Sequence, residues 1–484
     1  MSGPRIPPAP SPGAPLPEDP AAPVFTRGPV RRTALNLASA GIFCLLSVLG
    51  LLSVLAGSVR AQDTIAPPPA DSLSAETLFV DEVLITGNEK TKPFVIRREM
   101  SLRPGEPVTQ ERLDYDRERI YSLRLFNRVQ VRAYPSAPGK AKIVVEVDER
   151  WYIFPFPILG VRDRDWGKVF YGAGAVHNNF RGRNEKLSAS VILGYDPAFS
   201  LSYRNSFLDE NGTWFMDART SYSRIRNRSP LVEGLFGEYE ERHFNILANV
   251  GRRIGRHHSV WLTAGYRLIH VPNESVITTI SGDGRDHFPV AGTGYLHDTR
   301  DLQEYPSRGT MVGIAFIKSG LPGSYLDYYR IATDFRHFVP LPGGLSVGAR
   351  LFTDQGGGHE IPAYSRVYFG YGERIRGHFD EVVEGENLAG ASAELHVPLL
   401  PVRYLKLDLL PEGFNLWRFG VSGALFGDAG TAWFRDTKFS TGNLTKGYGG
   451  GIHLLLPYSV VLRIEYAWDE QRNGELIIDL GAAL

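Results

Sequence analysis

The pattern of apolar and polar positions first marks out a short segment of mixed period. Between residues 77 and 151 an alternating run ends at Gly87-Asn88, segments with helical spacing follow near Pro93 and Thr109, and two more alternating runs complete the segment. Alternation with a period of two predicts strands, and a period of three to four predicts helices. The order is therefore β-α-α-β-β, which predicts one small α+β domain over residues 77 to 151.

From residue 152 to 484 nearly every segment alternates, and Gly, Asn, Asp and Pro turns separate the segments. We count sixteen candidate strands, of which the first covers 169 to 177, the eleventh 362 to 372 and the last 474 to 483. Tight turns such as 195 to 197 contrast with long polar connections such as 373 to 387. Short turns at one rim and long loops at the other predict a mainly β protein with a 16-stranded transmembrane antiparallel β-barrel.

The faces of the predicted strands fit a barrel wall. Leu187, Val191 and Leu193 share one face, which suits lipid, while Ser188 and Ser190 share the other, which suits a polar lumen. Several tyrosines are predicted to lie in the aromatic girdles at the membrane interfaces: Tyr325, Tyr329, Tyr364, Tyr368 and Tyr371. A soluble β-sandwich or propeller is the alternative, but no blade-length repeat supports a propeller.

The first 61 residues predict an N-terminal extension and a signal peptide. Arginines at 27, 31 and 32 precede an apolar stretch from 34 to 59, and a small-x-small pattern at 59 to 61 offers a cleavage site. A membrane anchor is the alternative, because the stretch is long enough to span a bilayer. Cleavage is favoured because no basic stop-transfer cluster follows. Residues 62 to 76 are polar and proline-rich, which predicts a linker.

Composition narrows the classes of function. Lys+Arg 53 equals Asp+Glu 53, so the basic footprint of a nucleic-acid-binding protein is missing. The single cysteine, Cys44, falls in the segment predicted to be removed, which excludes a disulfide framework. His257 and His258 stand among arginines without a nearby carboxylate, and no nucleophile elbow occurs. We therefore predict no enzyme, no metal site and no cofactor.

The segment 77 to 151 resembles a POTRA domain. The resemblance rests on the strand ending in Gly87-Asn88, the phrase Leu102-Arg-Pro-Gly-Glu106 and the segment Leu125-Phe-Asn-Arg-Val129. An edge strand of such a domain can receive an extended peptide by β-augmentation. A packing domain with a covered edge is the alternative.

Four phrases in the second region resemble the BamA/TamA superfamily of outer-membrane assembly and translocation proteins, whose barrel is called the bacterial surface antigen domain. They occur in the family's order: residues 178 to 185 (NNFRGRNE), Asp298 to Gly309, Ile375-Arg376-Gly377-His378, and Phe426 to Trp433. The resemblance implies an outer-membrane location with a periplasmic N-terminal domain. It also implies that the protein assists insertion of β-barrel proteins or translocation of polypeptides, without nucleotide or bond chemistry.

The same resemblance implies partners. These are unfolded outer-membrane or secreted polypeptides, received by the periplasmic domain and by a lateral barrel seam, together with periplasmic accessory proteins and outer-membrane lipid. Two other functions remain open at this point. One is a dedicated pore of the two-partner secretion type, and the other is a passive outer-membrane channel or surface antigen.

Arg376 and Asp428 are the candidate site residues with a physical argument of their own. A long loop can fold back into a wide barrel, and a desolvated guanidinium then needs an anion. Asp428 is predicted to supply it, and the missing side chain at Gly430 leaves room for the loop. Glu373 and Glu394 are the alternative acceptors. This predicted loop-to-wall contact is called the clasp, and it comprises Ile375, Arg376, Gly377, His378, Asp428 and Gly430.

Two positions depart from the family pattern. His378 stands where the family has an aromatic residue, and Leu484 ends the chain where outer-membrane barrels usually have Phe. Gly172, Gly174 and Gly481 lie near the predicted seam between the strands 169 to 177 and 474 to 483. Glycine weakens strand pairing, so these residues are candidates for a weak seam. Glycines that serve only barrel shape are the alternative.

Overall fold

The computed structural model describes residues 78–162, 167–209, 212–227, 229–271, 278–378, 381–406, 416–456 and 460–481. The predicted signal peptide (1 to 61) and linker (62 to 76) lie outside the described residues, as does Leu484. Across the described ranges, no helix combines the length and the apolar character needed to cross a bilayer.

The first domain contains three strands and two helices in the predicted order β-α-α-β-β, which confirms that part of the fold. The elements are β1 (Phe79–Thr86), α1 (Pro93–Glu99), α2 (Gln110–Tyr121), β2 (Phe126–Ala137) and β3 (Lys140–Glu149). Proline opens α1 at a position where its missing N–H costs nothing, and the Thr109 side chain caps α2 by accepting from the Arg112 amide. The central strand β3 pairs with β1 in parallel and with β2 in antiparallel, so β1 and β2 are the sheet edges.

The second domain is one antiparallel sheet of sixteen strands, which confirms the predicted strand number and fold class. The strands are β4 (Ile153–Val161), β5 (Val169–Phe180), β6 (Glu185–Gly194), β7 (Ala198–Asn205), β8 (Trp214–Arg226), β9 (Glu240–Ile254), β10 (His258–His270), β11 (Arg285–Asp298), β12 (Gly309–Gly320), β13 (Asp327–Pro340), β14 (Ser346–Gly358), β17 (Asn387–Lys406), β18 (Leu416–Trp433), β19 (Thr445–Leu456), β20 (Val460–Trp468) and β21 (Gly474–Leu480). Each strand pairs with its neighbour in sequence, except that β14 pairs with β17 across a long connection.

That connection, residues 359 to 386, is called the lumen loop here. It contains a 3-10 helix (Ala363–Ser365) and two short strands, β15 (Val367–Phe369) and β16 (Val383–Gly385), that pair with each other in antiparallel. Elsewhere in the second domain, α3 (Pro230–Phe236) and the 3-10 helices Pro342–Gly344 and Thr441–Asn443 occupy connections.

The membership of the sixteen strands differs from the prediction at two places. The predicted wall strand 362 to 372 is wrong, because that segment belongs to the lumen loop and packs inside the barrel. Tyr364 and Tyr368 are therefore buried and do not belong to an interfacial girdle. The strand that replaces it in the count is β4, which contains Pro155 and Pro157. Prolines argue against a central strand, but they are tolerated at an edge.

Exposure along the wall strands follows the predicted alternation. Val191 is 43% exposed and Leu193 47% exposed on the outer face. On the inner face the hydroxyls of Ser190 and Ser200 lie 2.7 Å apart across β6 and β7. An apolar outer face and a polar inner face are the arrangement that a lipid-embedded barrel requires.

The first domain docks on one end of the barrel, at the connection between β5 and β6. The Lys92 amide donates to the Gly182 carbonyl at 2.8 Å, and the Asn179 side chain donates to the Thr91 hydroxyl at 2.9 Å. A Cβ at Gly182 would lie 2.0 Å from the Lys90 carbonyl oxygen, so glycine is needed for this approach. The tight turn at 195 to 197 lies at the opposite barrel end, together with the lumen loop. The prediction that short and long connections separate by rim is therefore wrong for this turn.

Candidate functional site: the clasp and the free strand edges

The lumen loop crosses the barrel from one wall to the other. Its first half packs on β11 and β13, where the Tyr364 hydroxyl donates to Asp286 and the Tyr328 hydroxyl donates to the Ser365 hydroxyl. Its middle part packs against β17 and β18 through Phe369 and Ile375. Burial of these apolar side chains holds the loop inside the barrel, and it brings Arg376 to the wall.

Arg376 meets Asp428 of β18 in a two-point ion pair. The Nε atom donates to Asp428 Oδ2 at 2.7 Å, and Nη2 donates to Oδ1 at 2.9 Å. The Arg376 backbone amide also donates to Oδ2, at 3.2 Å. Fork-to-fork pairs of this kind are both strong and directional. The structure therefore brings together the two residues that the sequence proposed for the clasp.

Two further carboxylates complete the environment of the guanidinium. Arg376 Nη1 donates to Glu394 Oε2 of β17 and to Glu465 Oε1 of β20, both at 2.9 Å. The guanidinium carbon lies 3.5 Å from the ring centroid of Phe426, so one face is covered by an aromatic ring. Arg376 is 8% exposed, and Glu394 and Glu465 are each 1% exposed. A single loop residue is thus bonded to three strands, β17, β18 and β20, at a depth where an unpaired charge would be costly.

Glycines make the approach of the loop possible. A Cβ at Gly430 would lie 2.4 Å from the Phe369 ring, and one at Gly447 of β19 would lie 1.7 Å from the Arg376 carbonyl oxygen. Gly377 has a φ of +100°, a conformation that other residues adopt only with strain, and its amide donates to Glu475 Oε1 at 2.8 Å. The sequence pointed to Gly377 and Gly430, but it missed Gly447.

The alternative acceptors that the sequence suggested behave differently from each other. Glu394 does accept from Arg376, in addition to Asp428. Glu373 instead forms a two-point ion pair with Arg350 of β14, at 2.9 and 3.0 Å, so its proposed role toward Arg376 is wrong. The sequence missed Glu465. Arg463 and Glu465 lie two residues apart on β20, between apolar residues. This alternation could have predicted that both charged side chains lie on the inner face of the strand.

His378 contacts polar groups at the end of the barrel opposite the first domain. Its Nε2 atom lies 2.9 Å from the Lys446 carbonyl oxygen and 2.9 Å from Glu470 Oε2. Its Nδ1 atom lies 2.9 Å from Glu381 Oε2. Burial lowers the pKa of His378, but the neighbouring carboxylates and the carbonyl outweigh burial, so the pKa lies above its ordinary value. His378 thus makes hydrogen bonds and ionic contacts at the position where the family pattern has an aromatic residue.

The sheet has two edge strands within the described residues, β4 and β21, and no ladder joins them. The predicted seam strand 169 to 177 is therefore wrong, because it belongs to β5, which pairs on both sides. Gly172 and Gly174 lie on β5 and face partners on β4 and β6. Gly481 directly follows the edge strand β21 and donates to the Val461 carbonyl of β20.

The register shows which groups of β4 point outward. Backbone hydrogen bonds join Asn178 to Tyr152 at one end of the β4–β5 pair and Arg162 to Lys168 at the other. The backbone N–H and C=O groups of even-numbered positions of β4 therefore face β5. The backbone groups of odd-numbered positions point away from β5, toward the outer edge of the sheet. These positions include Pro155 and Pro157. Proline has no N–H. The outward edge of β4 therefore offers the carbonyl groups of Pro155, Pro157 and Leu159 as acceptors but lacks a donor at two successive positions. The Ile153 carbonyl already accepts from Trp151 Nε1.

A polar lumen, an apolar outer wall and a small α+β domain at one barrel end define an outer-membrane β-barrel protein with a periplasmic domain. Residues 179–481 match the family model of the Omp85 superfamily domain, and residues 79–150 match the POTRA model described as the surface antigen variable number repeat. The chain belongs to the Omp85 superfamily.

Two curated relatives are outer membrane protein assembly factors named BamA. The one from Neisseria meningitidis is 24% identical over 416 residues, which cover 78% of this chain and 49% of the relative. The one from Nitratidesulfovibrio vulgaris is 22% identical over 322 residues, which cover 63% of this chain and 38% of the relative. The chain therefore spans half or less of the length of the curated relatives it matches.

Solved structures show the same fold. BamA from Haemophilus ducreyi lacking POTRA domains 1–3 aligns with a TM-score of 0.50 at 17% identity, over 84% of this chain and 83% of that one. CdiB from Escherichia coli aligns with a TM-score of 0.55 at 12% identity, over 84% of this chain and 76% of that one. The likeness to both structures covers the barrel architecture.

Proposed function

We propose that this protein assists the insertion of β-barrel polypeptides into the outer membrane, and that clients pair with the free edge of β4. The support that counts most is the outward face of that edge. A nascent strand in lipid must satisfy its backbone groups, and the outward carbonyl groups of Pro155, Pro157 and Leu159 offer partners for its N–H groups. The names of the curated relatives point to the same activity.

The two prolines of β4 favour exchange of partners. A strand paired with β4 finds no donor opposite two of its carbonyl groups, so the pair is weaker than a complete ladder. Over the described residues, β21 is the other edge and is shorter, with seven residues against nine in β4. A weak closing pair allows a client strand to replace β21 beside β4, and later to leave.

The periplasmic domain is proposed to receive clients before they reach the barrel. Its edge strand β2 is twelve residues long, and Arg128 lies exposed near its beginning. The opposite edge is partly covered, because the Val80 amide donates to the Glu106 carbonyl and the Gly105 amide donates to the Val80 carbonyl. Peptide addition by β-augmentation is therefore expected at β2.

Crosslinking tests the proposed client edge. Leu159 lies at an odd-numbered position of β4 and is 57% exposed, and Leu262 of β10 is 69% exposed in the middle of the wall. We expect Leu159→Cys to form disulfides with a barrel client that carries one cysteine in a terminal strand, and Leu262→Cys to form none. Equal adducts at both positions, or none at Leu159→Cys, would contradict the proposal.

Depletion tests the breadth of the function. After depletion, quantitative mass spectrometry of outer membranes is expected to show a loss of many barrel proteins. Loss of one secreted protein alone would indicate a dedicated secretion pore instead. Unchanged outer membranes would refute both and leave a passive channel or surface antigen.

A further inference from the structure

Three potential metal ligands meet inside the barrel below the clasp. Glu394 and His396 lie two residues apart on β17, so they share the inner face, and His453 lies on β19. The strand between them, β18, presents Ala424 opposite His396 and Ser422 opposite His453. These small side chains let the two imidazoles approach over β18, with ring centroids 6.1 Å apart.

The donor atoms lie at distances that suit one coordination sphere. Glu394 Oε1 is 2.8 Å from His396 Nε2 and 3.7 Å from His453 Nδ1. Ligand atoms on a tetrahedral Zn²⁺ ion, at about 2.0 to 2.1 Å from the metal, are separated by about 3.3 Å. All three residues are buried, at 1%, 4% and 0% exposure for Glu394, His396 and His453. Small shifts of side chains would thus place all three atoms around one ion.

The surroundings orient each ligand. Glu465 Oε1 lies 3.1 Å from His453 Nε2 and fixes the proton there, which leaves the lone pair of Nδ1 facing Glu394. Arg376 Nη1 donates to Glu394 Oε2, which leaves Oε1 for the ion. The Tyr305 hydroxyl lies 3.0 Å from His453 Nδ1, the same ring atom that lies 3.7 Å from Glu394 Oε1. Carboxylates that hold imidazoles in this way are typical of metal sites.

The local charge favours a divalent cation. Four carboxylates face two guanidiniums in this part of the lumen, which leaves an excess of two negative charges when the imidazoles are neutral. The carboxylates are those of Glu394, Asp428, Glu465 and Asp479, and the guanidiniums are those of Arg376 and Arg463. Buried charge of one sign is costly unless it is neutralised.

We propose that Glu394, His396 and His453 bind one divalent transition-metal ion, with Zn²⁺ as the best match, and that the Tyr305 hydroxyl lies at its fourth position. Imidazole donors select transition metals over Ca²⁺ and Mg²⁺. The ion links β17 to β19 beneath the clasp. It also links the wall to the connection between β11 and β12, which carries Tyr305 and whose Glu304 lies 3.2 Å from Arg124 of the periplasmic domain.

Metal analysis of the full chain in detergent micelles tests the site. After treatment with EDTA, dialysis against micromolar Zn²⁺ and removal of free ion, we expect about one Zn²⁺ per chain. His396→Gln and His453→Gln are each expected to weaken binding by about 100-fold or more, and Tyr305→Phe by about 10-fold or less. Wild-type protein that retains no Zn²⁺, or His396→Gln and His453→Gln variants that retain it fully, would overturn the proposal.

His243 supplies a matched control. It is buried on β9 and lies 2.7 Å from Glu241, two residues earlier, in the same Glu-x-His arrangement as Glu394 and His396. Within the described ranges, no second imidazole joins Glu241 and His243 in a three-ligand group. His243→Gln is therefore expected to keep full Zn²⁺ binding, and loss of the ion in this variant would contradict the assigned site.

A measurement on the wild type covers the case in which a variant fails to fold. Cu²⁺ loaded into the wild-type chain is expected to show nitrogen hyperfine coupling from two imidazoles in its electron paramagnetic resonance spectrum. Coupling from one imidazole or none would overturn the assignment. Protonated imidazoles that balance the charge without an ion would give the same negative result.

Discussion

The two barrel walls that flank the free edges differ in their inner surfaces. The wall from β17 to β21 carries buried ions, with Arg376 of the lumen loop held by Asp428, Glu394 and Glu465. The wall from β5 to β8 also has charged groups, such as Glu185 paired with Arg181, but the centre of β6 and β7 carries small neutral groups, the paired hydroxyls of Ser190 and Ser200. Breaking the first set leaves buried charges unpaired, whereas water can replace partners in the second. We therefore expect the β4 side to move when the sheet opens, and the β21 side to stay fixed to the loop.

The largest effect is expected from Asp428→Ala, which removes the main partner of Arg376 on the ion-rich wall. Loss of one partner of a buried pair costs about 3 to 5 kcal/mol. The expected outcome is release of the lumen loop, measured as a lower unfolding temperature and faster proteolysis between 359 and 386. Unchanged assembly and protease resistance would refute the clasp.

A double variant separates the pair from its surroundings. If Arg376 and Asp428 act together, Arg376→Leu combined with Asp428→Leu should destabilise the barrel by less than the sum of the two single changes. Additive effects would show that the two residues act independently. The ion pair between Arg376 and Asp428 would then not be what keeps the lumen loop docked on the wall from β17 to β21.

A smaller effect is expected from Gly447→Ala, which leaves all charges in place. The new methyl group would lie 1.7 Å from the Arg376 carbonyl oxygen, so the loop must shift. Overpacking of this kind costs about 1 to 3 kcal/mol. Gly427→Ala on β18 is the matched control, because a Cβ there meets nothing within 4 Å. Equal stability of the two variants would contradict the close contact.

A pH-dependent contribution of about 1 kcal/mol or less is expected from His378. Its pKa is raised when the loop is docked. The stabilisation is therefore complete below the ordinary pKa of about 6.5, and it is lost as pH rises through the raised value. Proteolysis of the loop should accelerate over that interval in the wild type, and His378→Gln should remove the acceleration. A variant with the same pH profile as the wild type would argue against this contact.

The smallest effect is expected at the paired serine hydroxyls of β6 and β7. Ser190→Ala or Ser200→Ala removes one hydroxyl of a half-buried pair, and water can serve the other, so the loss is about 0.5 kcal/mol or less. The unfolding temperature should stay close to that of the wild type. A loss comparable to that of Asp428→Ala would show that the two walls do not differ in the way described here.

Local patterns were sufficient for much of the fold. The periods of the apolar positions predicted the β-α-α-β-β domain and the number of barrel strands, because each strand must alternate between lipid and lumen. The same patterns failed for 362 to 372 and for β4. An alternating segment can pack inside a barrel as well as in its wall, and prolines at the outward positions of an edge strand break no ladder.

The site was predictable in part. An arginine in a long loop and an aspartate near a glycine on a strand were enough to propose Arg376 and Asp428. Glu465 and Gly447 could not be paired with the loop, because their places depend on the register of β19 and β20. The grouping of His453 with Glu394 and His396 was equally hidden, since His453 lies 57 positions after His396 and only their positions around the barrel bring them together.

By itself the sequence determined the class of this protein: an alternating chain long enough for sixteen strands, a small domain before it, and motifs in the order of an outer-membrane family. These follow from short-range periodicity and from the solvent that each face meets. Only the tertiary structure decided which strands are the free edges, which wall holds the lumen loop, and which buried carboxylates and imidazoles share one space. Those features depend on contacts between residues far apart in the chain, and short-range periodicity carries no information about them.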